Sequence, residues 1–246
     1  MLDSGNPSCC WYHGSPLVLN ELAVGSTITT WKELAIAFSH KPATLEYNEV
    51  GGSIKHNGSA SGFLYIIDEP ITEGTDIYRH PNTSMDDGVE WLTKRPLKLK
   101  LIGTVCAGQD MLCRKATTVD IEKIIQIGQI HGREQICKAV LQEECYVAED
   151  VDQIVGFAIM NASFFGYGFI ELLIITKEHR RRGTGAALLD YLFRQCKTEK
   201  LFASTNESNT PMRGLLAKSG FIHCGQIDAL DEGDPELFFV RKKAAR

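Results

Sequence analysis

No apolar run in this chain approaches the ~18 residues that a membrane-spanning helix needs, so no such span is expected. The N-terminus has no basic segment leading into an apolar stretch, so no signal peptide is expected either. The 8 cysteines fall at 9, 10, 106, 113, 137, 145, 196 and 224 without a single Cys-x-x-Cys pair. That spacing supplies no zinc or redox motif, and it predicts reduced thiols in a cytoplasmic setting, with Cys9-Cys10 in an exposed tail. Positive charge is not in excess: 26 Lys and Arg face 31 Asp and Glu, and a net charge of -5 argues against a nucleic-acid partner. The chain contains neither Gly-x-x-x-x-Gly-Lys-Ser/Thr nor Gly-x-Gly-x-x-Gly, which excludes the P-loop and the dinucleotide fingerprint. Internal repeats and low-complexity tracts are also missing.

What the chain does have is Arg180-Arg181-Arg182-Gly183-Thr184-Gly185. Upstream, Phe169-Ile170-Glu171-Leu172-Leu173-Ile174-Ile175 reads as a buried strand. Downstream, Ala186, Leu188, Leu189, Leu192 and Phe193 recur at helical spacing. Glycine lets the connecting loop bend and approach a ligand closely. The helix that follows opens with unpaired N–H groups and the positive end of its dipole, which together suit a phosphate. Three arginines add positive charge at its mouth. The alternative is a solvated basic turn.

The pattern Arg-x-x-Gly-x-Gly resembles the acetyl-CoA pyrophosphate loop of the GNAT superfamily of N-acetyltransferases. A second block, from Asn206-Glu207-Ser208-Asn209 through Ser219-Gly220-Phe221, resembles the later motif of that family, in which an Asn precedes a short helix ending in Gly-Phe. The resemblance implies acetyl-CoA as cofactor and an amine acceptor, either a small molecule or a protein. It implies pyrophosphate binding by backbone N–H groups of the loop Arg180, Arg181, Arg182, Gly183, Thr184 and Gly185. It also implies main-chain contacts from Leu173 and Ile175 to the thioester and pantetheine, and a cofactor-arm contact from Asn209.

The element pattern after 111 predicts an α/β sandwich with a mixed sheet. Strands are expected at about 111–115, 145–149, 154–163, 167–175, 200–205, 220–227 and 236–242. Helices are expected after the polar run Thr117–Asp120, and at about 133–142, 184–196 and 209–218. Asp150-Val151-Asp152 reads as a hairpin turn.

Glu171 is the candidate catalytic base, an acidic residue inside an apolar strand; strict alternation would place it on one face with Leu173 and Ile175. The competing reading is a salt-bridged or rim carboxylate. Many GNAT enzymes carry a Tyr four residues before the Gly of Gly-Phe to protonate the leaving thiolate; here that position is Leu216, so water or Ser208 would have to substitute. The acidic stretch Asp228–Glu236 reads as a solvated loop or as an attractor of a cationic acceptor. His131 reads as a helix-end cation.

The first half is net acidic and the second balanced, which together with the small polar run 104–110 suggests a boundary there. The expected organisation is a tail at 1–10, a small α+β domain at 11–103, a linker at 104–110 and the larger domain at 111–246. Trp11-Tyr12-His13-Gly14-Ser15, the strand ending in Asp68-Glu69-Pro70, and the turn and strand Arg95-Pro96-Leu97 loosely resemble rifamycin-type ADP-ribosyltransferases. That resemblance implies an NAD-like site at Tyr12, His13 and Gly14, with Asp76 or Glu90 as rival acidic partners. His40 stands where a small polar residue is more typical of that family. The histidines are scattered without ligand spacing, and no metal site is expected. Three functional readings follow: an acetyl-CoA-dependent N-acetyltransferase with an accessory domain, an ADP-ribosyltransferase or NAD-binding module fused to a GNAT domain, and a non-catalytic acyl-CoA sensor. Composition and pattern leave the oligomeric state open.

Overall fold

In the computed structural model, residues 10–106, 110–128 and 132–243 are described. The chain folds as two compact units, Met1–Leu112 and Cys113–Arg246. His131, residues 1–9 of the expected tail and 107–109 of the expected linker lie outside the described residues. No helix among the described residues is long and apolar enough to cross a membrane. Every described cysteine is a free thiol.

The first unit contains β1 (Tyr12–Ser15), β2 (Glu21–Leu22), β3 (Thr27–Ile28), α1 (Lys32–Ser39), β4 (Leu45–Tyr47), β5 (Ile54–His56), β6 (Gly62–Ile67), β7 (Ile77–Arg79), β8 (Trp91–Thr93) and β9 (Leu97–Val105). Strand β6 lies between β1 and β9, antiparallel to both. Strand β2 pairs with the start of β9, while β3, β8 and β7 form a second small sheet. Thr104 and Val105, which read from sequence as a linker or the end of a connecting strand, finish β9, where they pair with Phe63 and Gly62 and are buried. Two apolar clusters hold the unit. One gathers Leu22, Ile28, Ile67, Ile77, Trp91 and Leu97; the other packs Ala35 and Ile36 of α1 on Leu64, Val105 and Leu112. Helix α1 buries Leu34, Ala35, Ile36 and Ala37 in succession, so it is enclosed rather than amphipathic.

The second unit begins within β10 (Met111–Lys115) and continues through α2 (Ile121–Ile127), α3 (Arg133–Leu141), β11 (Cys145–Asp150), β12 (Gln153–Phe164), β13 (Tyr167–Ile175), α4 (Thr184–Gln195), β14 (Lys200–Asn206), α5 (Thr210–Lys218), β15 (Ile222–Ile227) and β16 (Glu236–Lys242). The strand order is β10-β11-β12-β13-β14-β16-β15. Only the β13–β14 pair, the one bridged by a helix, is parallel among the pairings from β11 onward. Val151 and Asp152 connect β11 to β12 with φ of 42 and 60, the doubly left-handed geometry of a tight hairpin.

Strand β12 is buried continuously from Ile154 to Met160, as a central strand covered on both faces should be. On one face Phe157 and Ile159 pack with Ile124 of α2 and Ile136, Ala139 and Val140 of α3. Helix α4 buries Thr184, Leu188, Leu189, Tyr191 and Leu192, one stripe at helical spacing. Beneath α2, an unforeseen ion cluster is built. Arg114 donates to both oxygens of Asp120 at 2.8 and 2.9 Å and to Glu149 at 2.8 Å, and all three are nearly buried. Asp120 also accepts from the backbone N–H and the hydroxyl of Thr117, so the polar run Thr117–Asp120 does cap the helix start. Burial pushes the Asp120 carboxyl up, but the bonds from Arg114 and Thr117 outweigh it and hold it at about 2.

Candidate active site

The site is set by how β13 parts from β14. Its parallel pairing with β14 covers only Gly168–Ile170 against Leu201–Ala203, although β13 runs on to Ile175. From Glu171 onward the ladder between the two strands ends, although β13 stays paired with β12. The Thr176 N–H bonds back to the Val155 carbonyl beside β12. Alternation along the strand therefore turns the backbone groups of Leu173 and Ile175 away from β12, toward the β14 side. The Ile175 carbonyl there accepts from the Arg180 guanidinium at 2.9 Å.

Glu171 sits at a β-bulge. Leu172 pairs with Ile159 and Ile170 with Met160, so Glu171 is the extra residue between neighbouring positions of β12. The expectation of strict alternation is corrected by this. Leu172 and Ile174 pack into the cluster under α2 and α3, whereas Leu173 pairs with Ala158 on the opposite face. Ile175 lies 3.9 Å from where a Cβ on Gly185 would stand, toward α4. The bulge uses up one residue and lets Glu171 reach the α3 side while its neighbours Leu173 and Ile175 do not. Its carboxylate is exposed and held by two amides: Gln135 of α3 donates to Oε1 and Asn161 of β12 to Oε2, both at 2.7 Å. Asn161 is oriented in turn, because its Oδ1 accepts from the backbone and hydroxyl of Ser163 at 3.1 and 2.6 Å. The sequence reading missed Gln135 and Asn161. Asn161 carried a signal, a polar residue within an apolar strand, but Gln135 on an exposed helix face carried none.

The loop after β13 makes a short 3-10 turn at Lys177–His179 and then the arginine run. Arg180, Arg181 and Arg182 are exposed, as is Gly183. Gly183 is the N-cap of α4 with φ of 93, a left-handed backbone that a β-branched residue resists. Its carbonyl accepts the Ala187 N–H, so the N–H groups at Thr184, Gly185 and Ala186 lie ahead of the first intrahelical bond. The Thr184 hydroxyl is buried and donates to the His179 carbonyl at 3.1 Å. A Cβ on Gly185 would stand 2.9 Å from Leu215 of α5, so this glycine lets the two sequence motifs meet.

Asn209 caps α5, its Oδ1 accepting the Met212 N–H at 3.2 Å. Leu216 is fully buried. The Ser208 hydroxyl donates to Asp234 at 2.6 Å, so its proton is committed to a carboxylate. Asp231 accepts from Asn206 at 2.7 Å. Two carboxylates of the acidic loop therefore fasten that loop to the end of β14 and the start of α5.

In the first unit, the His13 Nδ1–H donates to the Thr27 carbonyl at 2.7 Å. Burial pushes the His13 pKa down, against that bond, which raises it. A Cβ on Gly14 would stand 1.7 Å from the Ala35 carbonyl oxygen, so the lack of a side chain there is required by α1. Tyr12 pairs with Ile66 in the sheet, and its N–H and carbonyl bond to Thr29. Asp76 is bound to Arg95 at 2.7 Å and to the Thr72 N–H at 2.8 Å, and Glu90 accepts from the Thr83 hydroxyl.

The sheet thus has one parallel pair that parts, a carboxylate on the open strand and a glycine-capped helix after it. The profile of the Acetyltransferase (GNAT) family matches residues 118–221. A GNAT-family acetyltransferase from Bacillus cereus is 34% identical over 55% of this chain and 99% of its own, with a TM-score of 0.53. Through its C-terminal unit the chain belongs to the GNAT acetyltransferase family, transferases that use acetyl-CoA. Also similar are a ribosomal-protein-alanine N-acetyltransferase from Brucella melitensis (20% identity, 54% of this chain, 99% of that one, TM-score 0.48) and a Bacillus anthracis acetyltransferase in complex with acetyl coenzyme A (20%, 41%, 62%, 0.39). No curated protein matches.

Proposed function

We propose that the C-terminal unit transfers the acetyl group of acetyl-CoA directly to an amine, with Glu171 as the general base. The observation that carries this reading is the fixed carboxylate of Glu171 on the segment of β13 that has left β14. In this reading the backbone N–H groups from Arg181 to Gly185, with Arg180 beside them, hold the pyrophosphate at the start of α4. The main chains of Leu173 and Ile175 align the pantetheine arm and polarise the thioester carbonyl. Asn209 reaches the cofactor arm with the amide nitrogen that its capping role leaves over.

An amine arrives largely as its ammonium and must lose a proton before its lone pair can attack. Glu171 takes that proton, directly or through one water. The C–N bond forms as the C–S bond breaks, and the electron pair leaves on the CoA sulfur. Leu216 has no proton to give and the Ser208 proton is committed to Asp234, so the thiolate is protonated by solvent. The two amides fix the direction of the Glu171 carboxylate, one on each oxygen. Release of CoA thiol from acetyl-CoA across a panel of primary amines tests the reading. Turnover with at least one amine that falls in Glu171→Gln, with acetyl-CoA affinity retained, supports it; equal turnover in the variant removes Glu171 from the chemistry.

A further inference from the structure

Away from that site, the first unit brings together three side chains that the sequence keeps far apart. His40 ends α1, His56 ends β5 and Asp110 follows β9, yet one ligand atom from each falls within 4.8 Å of the others. The imidazole of His40 is completely buried. Its Nδ1 lies 2.6 Å from the Ala60 carbonyl, and since a carbonyl only accepts, the proton is on Nδ1. With the ring proton on Nδ1, the neutral form of His40 has its lone pair at Nε2. That atom is buried and has no hydrogen-bond partner among the described residues. It faces Asp110 Oδ1 at 3.5 Å, an arrangement of two acceptors.

Something positive belongs between them. A proton shared by imidazolium and carboxylate draws the pair to about 2.7–2.9 Å. The observed 3.5 Å is longer, and close to the roughly 3.3 Å edge between ligands of a tetrahedral ion with bonds of about 2.0–2.1 Å. His56 completes the set: its side chain is nearly buried, its Nε2 is 2.8 Å from the same Asp110 oxygen, and its ring lies 5.1 Å from that of His40. The bond from the His40 Nδ1–H to a backbone carbonyl is the outer contact that fixes the tautomer of a metal-ligating histidine.

We propose that His40 Nε2, His56 Nε2 and Asp110 Oδ1 form a binding site for a divalent transition cation of the zinc class, with a fourth position open to water. Two imidazoles and a carboxylate suit that ion, and three protein ligands leave one position free. Binding moves the His56 proton from Nε2 to Nδ1. The Gly58 N–H, which now donates to Nδ1 at 3.1 Å, has to turn aside, and the His56–Asp110 distance opens toward the tetrahedral edge.

The full chain, stripped with chelator, is titrated with Co2+ and with Zn2+. The expected result is one ion per chain, the visible d–d bands of tetrahedral cobalt without a near-ultraviolet thiolate band, and a rise in Tm with Zn2+. Asp110 is half exposed, so Asp110→Asn keeps the packing, and both it and His56→Ala should bind at least tenfold more weakly. Absence of binding in the parent chain overturns the proposal. Unchanged affinity in both variants, or a thiolate band that places the ion on cysteines, also overturns it.

Discussion

Asn161 donates its amide to Glu171 Oε2 at 2.7 Å from the neighbouring strand, while the bulge in β13 turns that carboxylate out of strict alternation. Amide and bulge act together: the bulge frees the side chain from its strand's pattern, and Asn161, with Gln135, gives it a fixed direction. Glu171→Gln should lower kcat more than it weakens acetyl-CoA binding. The loss should be largest near neutral pH and shrink at high pH, where the amine deprotonates unaided. Asn161→Ala should reduce kcat less, by about tenfold for a carboxylate left loose rather than removed. Superimposable pH–rate profiles for parent and Glu171→Gln would make the carboxylate structural.

Gly183 holds φ of 93 at the N-cap of α4. Gly183→Val forces that loop out of its conformation, at a cost of about 1–3 kcal/mol for such backbone strain, and adds a side chain where pyrophosphate would lie. Calorimetry should show CoA affinity falling by tenfold or more. Unchanged affinity would move the cofactor away from this loop.

The Arg114–Asp120–Glu149 cluster makes the second unit acid-sensitive. The folded Asp120 carboxyl is held at about 2, below the ordinary 3.8. Its contribution is complete above the unfolded value and is lost as pH falls through about 2. A tenfold difference in proton affinity between the folded and unfolded chain is worth about 1.4 kcal/mol, so about 2 kcal/mol of stability should disappear across that window. Asp120→Asn should cost about 3 kcal/mol at neutral pH by leaving Arg114 half-paired, and should flatten the stability–pH curve below about pH 4. Chemical denaturation from about pH 2 to neutrality measures both effects. An unchanged slope in the variant would mean that other carboxylates govern acid unfolding.

Gly14 is closed off by α1, with the Ala35 carbonyl oxygen 1.7 Å from the position of an added Cβ. Gly14→Ala should destabilise the first unit by about 3 kcal/mol or more, because backbone rather than a flexible side chain stands in the way. Thermal melts without any ligand read this directly. A neutral outcome would show that α1 can shift, and would return the glycine to a ligand-contact role.

The secondary structure of the second unit was legible because each element carries a strong local pattern. The stripe Leu188, Leu189 and Leu192 determined α4, the alternation of Leu201, Ala203 and Thr205 determined β14, and the two glycine motifs determined the family resemblance. Local pattern also located the capping run Thr117–Asp120 and the turn at Val151 and Asp152. Tertiary structure decided everything that depends on residues distant in sequence. Which face Glu171 takes was decided by a bulge, and a bulge exists only relative to a partner strand. The amides on Glu171 come from α3 and β12, the partners of Arg114 from two other elements, and His40, His56 and Asp110 meet only after α1, β5 and β9 are in place. Periodicity encodes which side chains an element buries, because burial is a local average over one face. It does not encode which polar atoms face each other, because a hydrogen bond or a metal site is set by distances of a few tenths of an ångström that only the packed chain defines.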